Sequence, residues 1–327
     1  MTGVTILGFG YHVPERVVTN DDLAKIVDTN DEWITSRTGI KQRHLVQEGE
    51  VCSDLSAEAA RKALTAANMQ AEEITHVIVG TCTGDAPIPA TATQVCDKLG
   101  IKGQTAFDIN AACSGFVYGL DIARGFIAVH PDAKVLLIGA EVLSSRLNWE
   151  DRTTCVLFGD GAGAAIIGAS GQKEAELVDV QLSSDGSLGD LLRCKGGGCS
   201  HPPVLGDTID DEYFIKMQGR EVFKHAVRSM VGIAKDLLEK NNMTVDDIDM
   251  VLTHQANARI IDAVGKKLGV SAEKAFVNVH KFGNTSAASI PIALADAREE
   301  GTIKDGYTVL VATFGGGFTW GSALLKF

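Results

Sequence analysis

Ile74-Thr75-His76-Val77-Ile78-Val79 returns later in the chain as Ile248-Asp249-Met250-Val251-Leu252-Thr253, 174 residues on (248 against 74). Asp97-Lys98-Leu99-Gly100-Ile101 is echoed by Lys266-Lys267-Leu268-Gly269-Val270, and Ala106-Phe107 by Ala275-Phe276, both at 169 (266 against 97, 275 against 106). Lys134-Val135-Leu136-Leu137-Ile138 is echoed by Tyr307-Thr308-Val309-Leu310-Val311 at 173 (307 against 134). Strand-like residues recur by chance, so one match says little; four in a single order indicate two copies of one unit. The apolar, β-branched runs alternate with Ala-rich stretches of helical period, the pattern of an α/β protein whose sheets lie buried under helices. Two such halves packed about a pseudo-twofold axis bring equivalent strand ends together, where open α/β sheets bind ligands. The expected division is 1–182 for the first half, a connector or lid rich in Gly, Pro and Asp over 183–211, and 212–327 for the second half.

The 327 residues suffice for one large or two ordinary domains. With 30 Lys and Arg against 42 Asp and Glu, the net charge of -12 argues against general nucleic-acid binding, and an acidic partner would need a local basic patch. Seven scattered cysteines and the absence of a secretory signal at Met1 point to free thiols in a reducing, cytoplasmic compartment. No apolar run is read as reaching the roughly 18 to 20 residues that span a bilayer, so a soluble protein without a membrane partner is expected.

Cys113 stands where Phe107-Asp108-Ile109-Asn110-Ala111-Ala112, strand-like, gives way to the helix-like Ser114-Gly115-Phe116-Val117-Tyr118-Gly119-Leu120. A cysteine at a helix N-terminus meets unpaired N–H groups that favour thiolate and can hold an oxyanion. An inert buried thiol is the competing reading. His254 ends the strand Asp249 to Thr253, the equivalent place in the second half; a structural histidine is its plainer reading. Asn284 lies in Lys281-Phe282-Gly283-Asn284-Thr285-Ser286-Ala287-Ala288-Ser289, and the repeat offset carries Cys113 onto 282 to 287, so the two occupy matching turns. Ordinary turn chemistry explains an Asn beside Gly equally well in isolation. Together they suggest a thiolate with two neutral donors: Cys113 takes an acyl group from a thioester, and His254 and Asn284 hold the enolate left when a malonyl-type thioester loses carbon dioxide. Gly315-Gly316-Gly317, after the strand Thr308 to Thr313, could offer the Gly316 N–H to an oxyanion hole beside that of Cys113. Gly159-Asp160-Gly161-Ala162-Gly163 lacks full nucleotide-loop spacing, and Cys194, Cys199 and His201 lack a fourth ligand at zinc-like spacing, so no metal is expected.

Thr29-Asn30-Asp31-Glu32-Trp33-Ile34, Arg37-Thr38-Gly39-Ile40, Ala111-Ala112-Cys113-Ser114-Gly115-Phe116, Phe158-Gly159-Asp160-Gly161-Ala162-Gly163, His254-Gln255-Ala256-Asn257, Gly283-Asn284-Thr285-Ser286 and Phe314-Gly315-Gly316-Gly317-Phe318 together resemble the bacterial β-ketoacyl-[acyl-carrier-protein] synthase III family, almost end to end. The resemblance implies a thiolase-like fold, two halves in a five-layered α/β/α/β/α arrangement, usually as a homodimer. It implies the triad Cys113, His254 and Asn284, and ping-pong condensation of an acyl-CoA primer, acetyl-CoA first, with malonyl-[acyl-carrier-protein] to start fatty-acid synthesis. No metal or redox cofactor is implied, acyl-CoA being a substrate. Thiolase-pattern relatives carry a second reactive Cys where this chain has Asn284, which favours condensation over thiolysis.

Coenzyme A contacts carried over by resemblance are Trp33 on the adenine, Arg37 and Arg152, with Thr29, Gly219, Phe223, Ala256 and Asn257. Arg259, Lys266 and Lys267, with Lys224, make the candidate docking patch for the acidic carrier protein, since Arg259 and Lys266 are two helical turns apart. Ile88 replaces the Phe by which some relatives limit the primer pocket, sometimes across the dimer interface. A condensing enzyme of secondary metabolism and a non-catalytic acyl-carrier or lipid-binding relative are the alternatives.

Overall fold

Val77, Ile78 and Val79, like Val135 through Ile138, Val251-Leu252 and Val309 through Val311, are all buried, so these runs have helices against both faces. The computed structural model describes residues 3–169, 174–204, 206 and 209–327. Its strands are β1 (Val4–His12), β2 (Val17–Thr19), β3 (Gln42–His44), β4 (His76–Gly80), β5 (Thr105–Ile109), β6 (Lys134–Glu141), β7 (Gly161–Gly168), β8 (Ala175–Ser184), β9 (Leu192–Arg193), β10 (Lys216–Met217), β11 (Met250–Thr253), β12 (Thr308–Gly315) and β13 (Thr319–Lys326). Nine of them form one sheet in the order β11-β12-β13-β8-β1-β7-β6-β4-β5.

The duplication is written in that order. In the first half β5, β4 and β6 run parallel, and β7 then β1 antiparallel. In the second, β11 and β12 are parallel and β13 then β8 antiparallel, while Ala275, bridged in parallel to Val251, stands where β5 has its counterpart. The halves join where β1 pairs with β8 through Val4, Thr5 and Ile6. Because β8 pairs with β13 from Glu176 to Ser184, a boundary at 182 cuts a strand of the second half, and we propose the boundary between β7 and β8.

Five layers follow from what the helices cover. Helices Cys52–Ala66 and Thr91–Leu99 pack on the outer face of the first half, and Gly219–Lys240 and Ala258–Leu268 on that of the second. Between the halves lie Gly115–Val129 and Ser289–Glu299, whose Phe116, Leu120, Ile127, Ile290 and Leu294 share one core with both halves of the sheet. Residues Ala112–Val129 do reach membrane-span length and apolarity, which corrects the sequence reading; here this stretch is a core helix, Phe116, Val117, Leu120, Ala123 and Ile127 being buried. In the connector, a 3-10 turn (Gly186–Leu191) leads into β9, which pairs with β10; Leu205, Asp207 and Thr208 lie outside the described residues.

Candidate active site

Both central helices begin at a turn of the same construction. After β5, the Asn110 Oδ1 accepts from the Ala112 N–H (3.1 Å), Ala112 takes a left-handed φ of 45°, and the 3-10 turn Ala112–Ser114 opens the helix Gly115–Val129. In the second half the Asn284 Oδ1 accepts from the Ser286 N–H (2.9 Å), Ser286 takes φ 50°, and Ser286–Ala288 opens Ser289–Glu299. At 174 residues Asn110 therefore matches Asn284 and Ala112 matches Ser286 (284 against 110, 286 against 112). The turns correspond as expected, but the partner of Cys113 itself is Ala287.

Each turn is propped by the opposite half. Thr313 on β12 donates its hydroxyl to the Cys113 carbonyl (3.0 Å), and Thr319 on β13 donates to that of Ala111 (2.7 Å). Gly315 is needed at the end of β12, because a Cβ there would lie 2.7 Å from the Cys113 nitrogen. Asn284 is held like a strand residue by Phe158-Gly159: its N–H donates to the Leu157 carbonyl (2.8 Å) and its carbonyl accepts from Gly159 (3.0 Å). With Oδ1 committed to Ser286, the Asn284 Nδ2 has no hydrogen-bond partner among the described residues.

Cys113 is buried, and burial pushes its thiol up to about 11, with Glu141 adding to the shift. The Ser286 hydroxyl and the backbone N–H groups of Cys113 and Gly316 face the sulfur and oppose that rise without cancelling it. The helix N-terminus does not, then, leave a resting thiolate: loss of solvent outweighs it. His254 is buried too, and burial holds its imidazole down at about 4, so it is neutral. Its Nδ1 meets the Ser289 Oγ at 2.5 Å, and that oxygen also accepts from the Gln255 N–H (3.4 Å). The hydroxyl proton is thereby directed to Nδ1, which leaves the Nε2–H as a donor.

Cys113, His254 and Asn284 line one cavity of about 290 Å³. Seven of the eight residues expected at coenzyme A line it as well: Trp33, Arg37, Arg152, Gly219, Phe223, Ala256 and Asn257. Thr29 does not, and its buried hydroxyl has no hydrogen-bond partner among the described residues. The Arg37 and Arg152 guanidiniums lie 4.5 and 5.2 Å from the centre of the Trp33 ring. Asn257 caps the helix Ala258–Leu268 through the Arg259 N–H (2.8 Å) and donates to the Arg37 carbonyl (3.1 Å), so it also braces the cavity wall.

Arg259 lines the cavity, while Lys224, Lys266 and Lys267 are exposed, Lys224 paired with Glu221 and Lys266 with Asp262, both at 2.7 Å. Cys113 borders a second cavity of about 300 Å³ with Cys82, Leu143, Phe158, Leu192 and Ile215. Ile88 reaches neither cavity in this single chain and is 88% exposed. Cys194 donates to the Tyr213 carbonyl (3.3 Å) and His201 faces Asp210 (2.9 Å). Asp160 receives the Ser144 hydroxyl (2.6 Å) and the Val46 N–H (3.0 Å) at the entry to β7, which makes that glycine-rich stretch a strand lead-in rather than a phosphate loop.

Sequence reasoning passed over Ser286, Ser289 and Glu141. The criterion that found His254, a polar residue closing an apolar strand, applies equally to Glu141 after Val135 through Ala140.

The sequence pattern of 3-oxoacyl-[acyl-carrier-protein (ACP)] synthase III matches residues 107–186, and that of the same enzyme's C terminal matches 238–327. The chain is 58% identical over 323 residues to the β-ketoacyl-[acyl-carrier-protein] synthase III of Oleidesulfovibrio alaskensis, covering 98% of each. The crystal structure of 3-oxoacyl-[acyl-carrier-protein] synthase III from Aquifex aeolicus has a TM-score of 0.91 at 46% identity, with 99% of this chain and 100% of that one covered. The priming β-ketosynthase from the R1128 polyketide biosynthetic pathway has a TM-score of 0.90 at 32% identity, over 99% and 96%. The fold and these likenesses define a condensing acyltransferase with the thiolase-like architecture. Within that class, the chain belongs to the β-ketoacyl-[acyl-carrier-protein] synthase III family of fatty-acid biosynthesis.

Proposed function

We propose that this enzyme transfers the acyl group of a short acyl-CoA to Cys113 and condenses it with malonyl-[acyl-carrier-protein], with release of carbon dioxide. The observation that carries the reading is the convergence of Cys113, His254 and Asn284 on one cavity that also contains Trp33, Arg37 and Arg152. Coenzyme A enters between those side chains, its adenine stacking on Trp33 and its phosphates drawing the guanidiniums off the ring. The Cys113 sulfur bonds to the thioester carbon, whose oxygen is received by the N–H groups of Cys113 and Gly316, and the coenzyme A thiolate leaves.

The acyl chain occupies the second cavity. Malonyl thioester then loses carbon dioxide; the enolate oxygen takes hydrogen bonds from the His254 Nε2 and the Asn284 Nδ2, and its carbon attacks the acyl-Cys113 carbonyl. Each such donor stabilises the developing charge by about 2.7 to 4 kcal/mol. No further cofactor enters this scheme. The carrier protein, acidic itself, docks on Arg259, Lys266, Lys267 and Lys224, whose exposed ion pairs with neighbouring acids are weak and readily exchanged. We place the enzyme in the cytoplasm as a homodimer, in keeping with seven free cysteines.

Intact-protein mass after incubation with acetyl-CoA tests the reading. Wild type should gain one acetyl group, Cys113→Ala none, and Asn284→Ala should be acetylated but condense about 10²-fold more slowly. Wild type left unmodified by every acyl-CoA primer tried would refute the covalent mechanism, and equal failure of both variants at acetylation would refute the division of roles. The likeness to the R1128 priming ketosynthase supports a second reading, the same chemistry with a different primer in a secondary pathway; curated relatives at 47 to 58% identity favour the first.

A further inference from the structure

Glu141 closes β6 with a fully buried carboxylate that has no ion-pair partner among the described residues. Every group around it donates: the Thr81 hydroxyl (3.3 Å), the Cys82 N–H (3.2 Å) and thiol (3.3 Å), the Thr83 hydroxyl (2.5 Å) and the Ser286 hydroxyl (3.0 Å). Thr83 is aimed by the Val142 N–H, which donates to its oxygen at 2.8 Å, so its own proton is directed at the carboxylate. Burial raises the pKa of this carboxyl, and the shell made only of donors opposes that rise by favouring the ionised form. Burying a carboxylate without a cation is costly, and a polar residue that served only to tie this loop down would not need the charge.

Ser286 is the link to the nucleophile. Its hydroxyl donates to Glu141, and Ser286 lines the same cavity as Cys113, close enough to act on the sulfur. A serine has one proton; while that proton points at Glu141, the oxygen can only accept from the thiol. We propose that Ser286 and Glu141 form the route by which Cys113 loses its proton as it is acylated, Ser286 facing the sulfur across their shared cavity and Glu141 acting through it as a positioning residue. The inference rests on Cys113 being the acyl carrier.

As the S–C bond to the acyl carbon forms, the thiol proton passes to the Ser286 oxygen and the serine proton to the Glu141 Oε1. The thioester C–S bond breaks, its electron pair leaves on the coenzyme A sulfur, and that thiolate takes a proton from solvent after release. Glu141 is then neutral. When the enolate displaces Cys113 from the acyl group, the proton returns along the same path and thiol and carboxylate are both restored. The neutral His254 is thus left free of general-base duty during acylation and can serve as a donor in condensation. The titratable groups that face Glu141 are the thiols of Cys52, Cys82 and Cys113.

Charge and proton transfer predict opposite outcomes for Glu141→Gln, which keeps an acceptor oxygen but not the base. Removing a negative neighbour should move iodoacetamide alkylation of Cys113 to lower pH. If the route operates, single-turnover acetylation by acetyl-CoA at neutral pH should nevertheless slow by about 10²-fold and recover as pH rises. Ser286→Gly, suited to the left-handed backbone, should slow it by a similar factor, and the double variant should be no slower than the slower single. Acetylation that speeds up with alkylation in Glu141→Gln, or losses that multiply in the double variant, would overturn the proposal. If Glu141→Gln does not fold, Ser286→Gly decides alone, an unchanged acetylation rate and pH profile counting against the route. Wild type that never becomes acetylated would instead sink the reading of Cys113 itself.

Discussion

Burial sets the resting charge of both reactive groups in the same direction, toward neutrality. Burial favours the thiol of Cys113, so in the proposed acyl transfer its proton leaves during the step rather than before it. His254 rests uncharged with its tautomer fixed by Ser289, which suits a group that donates without protonating its target. This arrangement has a cost that can be measured. The folded pKa of His254 lies near 4, below its ordinary value of 6.5, so the unfolded chain binds the proton first as pH falls. Stability is therefore full above pH 6.5, declines below it, and the loss is complete near pH 4. Between pH 7 and pH 5 His254 should account for about 2 kcal/mol, at 1.36 kcal/mol per unit. Urea unfolding of wild type and His254→Phe at the two pH values isolates that share as the difference in their losses; equal losses would mean that the imidazole is already protonated in the folded state.

Two turns, each carried by one half and propped by the other, make the site at the level of elements, and glycines at the crossing let the backbones meet. Gly315→Ala should push its Cβ against the Cys113 nitrogen, costing about 1 to 3 kcal/mol as overpacking and slowing acetylation at the same time. Gly232→Ala, with open space around it in the helix Gly219–Lys240, should leave acetylation alone and stabilise slightly. Thermal unfolding and the acetylation rate, read on both variants, separate a local clash from a general intolerance of alanine. The repeat made these turns legible, because hydrophobic periodicity and short echoes survive in the sequence. It also led from Cys113 to the right turn, and His254 was readable as a polar end to an apolar strand. The charge of Cys113 was not legible: a helix N-terminus can be read from residues, but the depth at which it is buried depends on the opposite half. Nor was the β1–β8 join, since Val4-Thr5-Ile6 and Ala175-Glu176-Leu177 carry no signal that fixes which strand they pair with.

On the scale of the molecule the sheet ends in an edge strand, β5. Among the described residues β5 pairs only with β4, its Phe107 and Ile109 are half-buried, and the nearby loop carries Ile88 at 88% exposure. An edge strand beside an exposed large aliphatic side chain is a surface that soluble proteins pair or protect. A second copy laid antiparallel along β5 would extend the sheet across a twofold axis and bury Ile88 against the partner. Such a contact would account for the distance of Ile88 from both cavities in one chain, since its expected part in limiting the primer would then be played across the interface. Ile88→Asp should therefore weaken the dimer by at least about tenfold, roughly 1.4 kcal/mol, while leaving the unfolding of the separated chain unchanged. Sedimentation over a range of concentrations reads the first effect, and the relative acetylation rates with short and longer acyl-CoA primers read the second, since a wall supplied by the partner should loosen with the dimer. A mass that stays that of one chain for wild type at all concentrations, or a dimer of undiminished affinity in the variant, would remove Ile88 from the interface and with it the partner's share in primer choice.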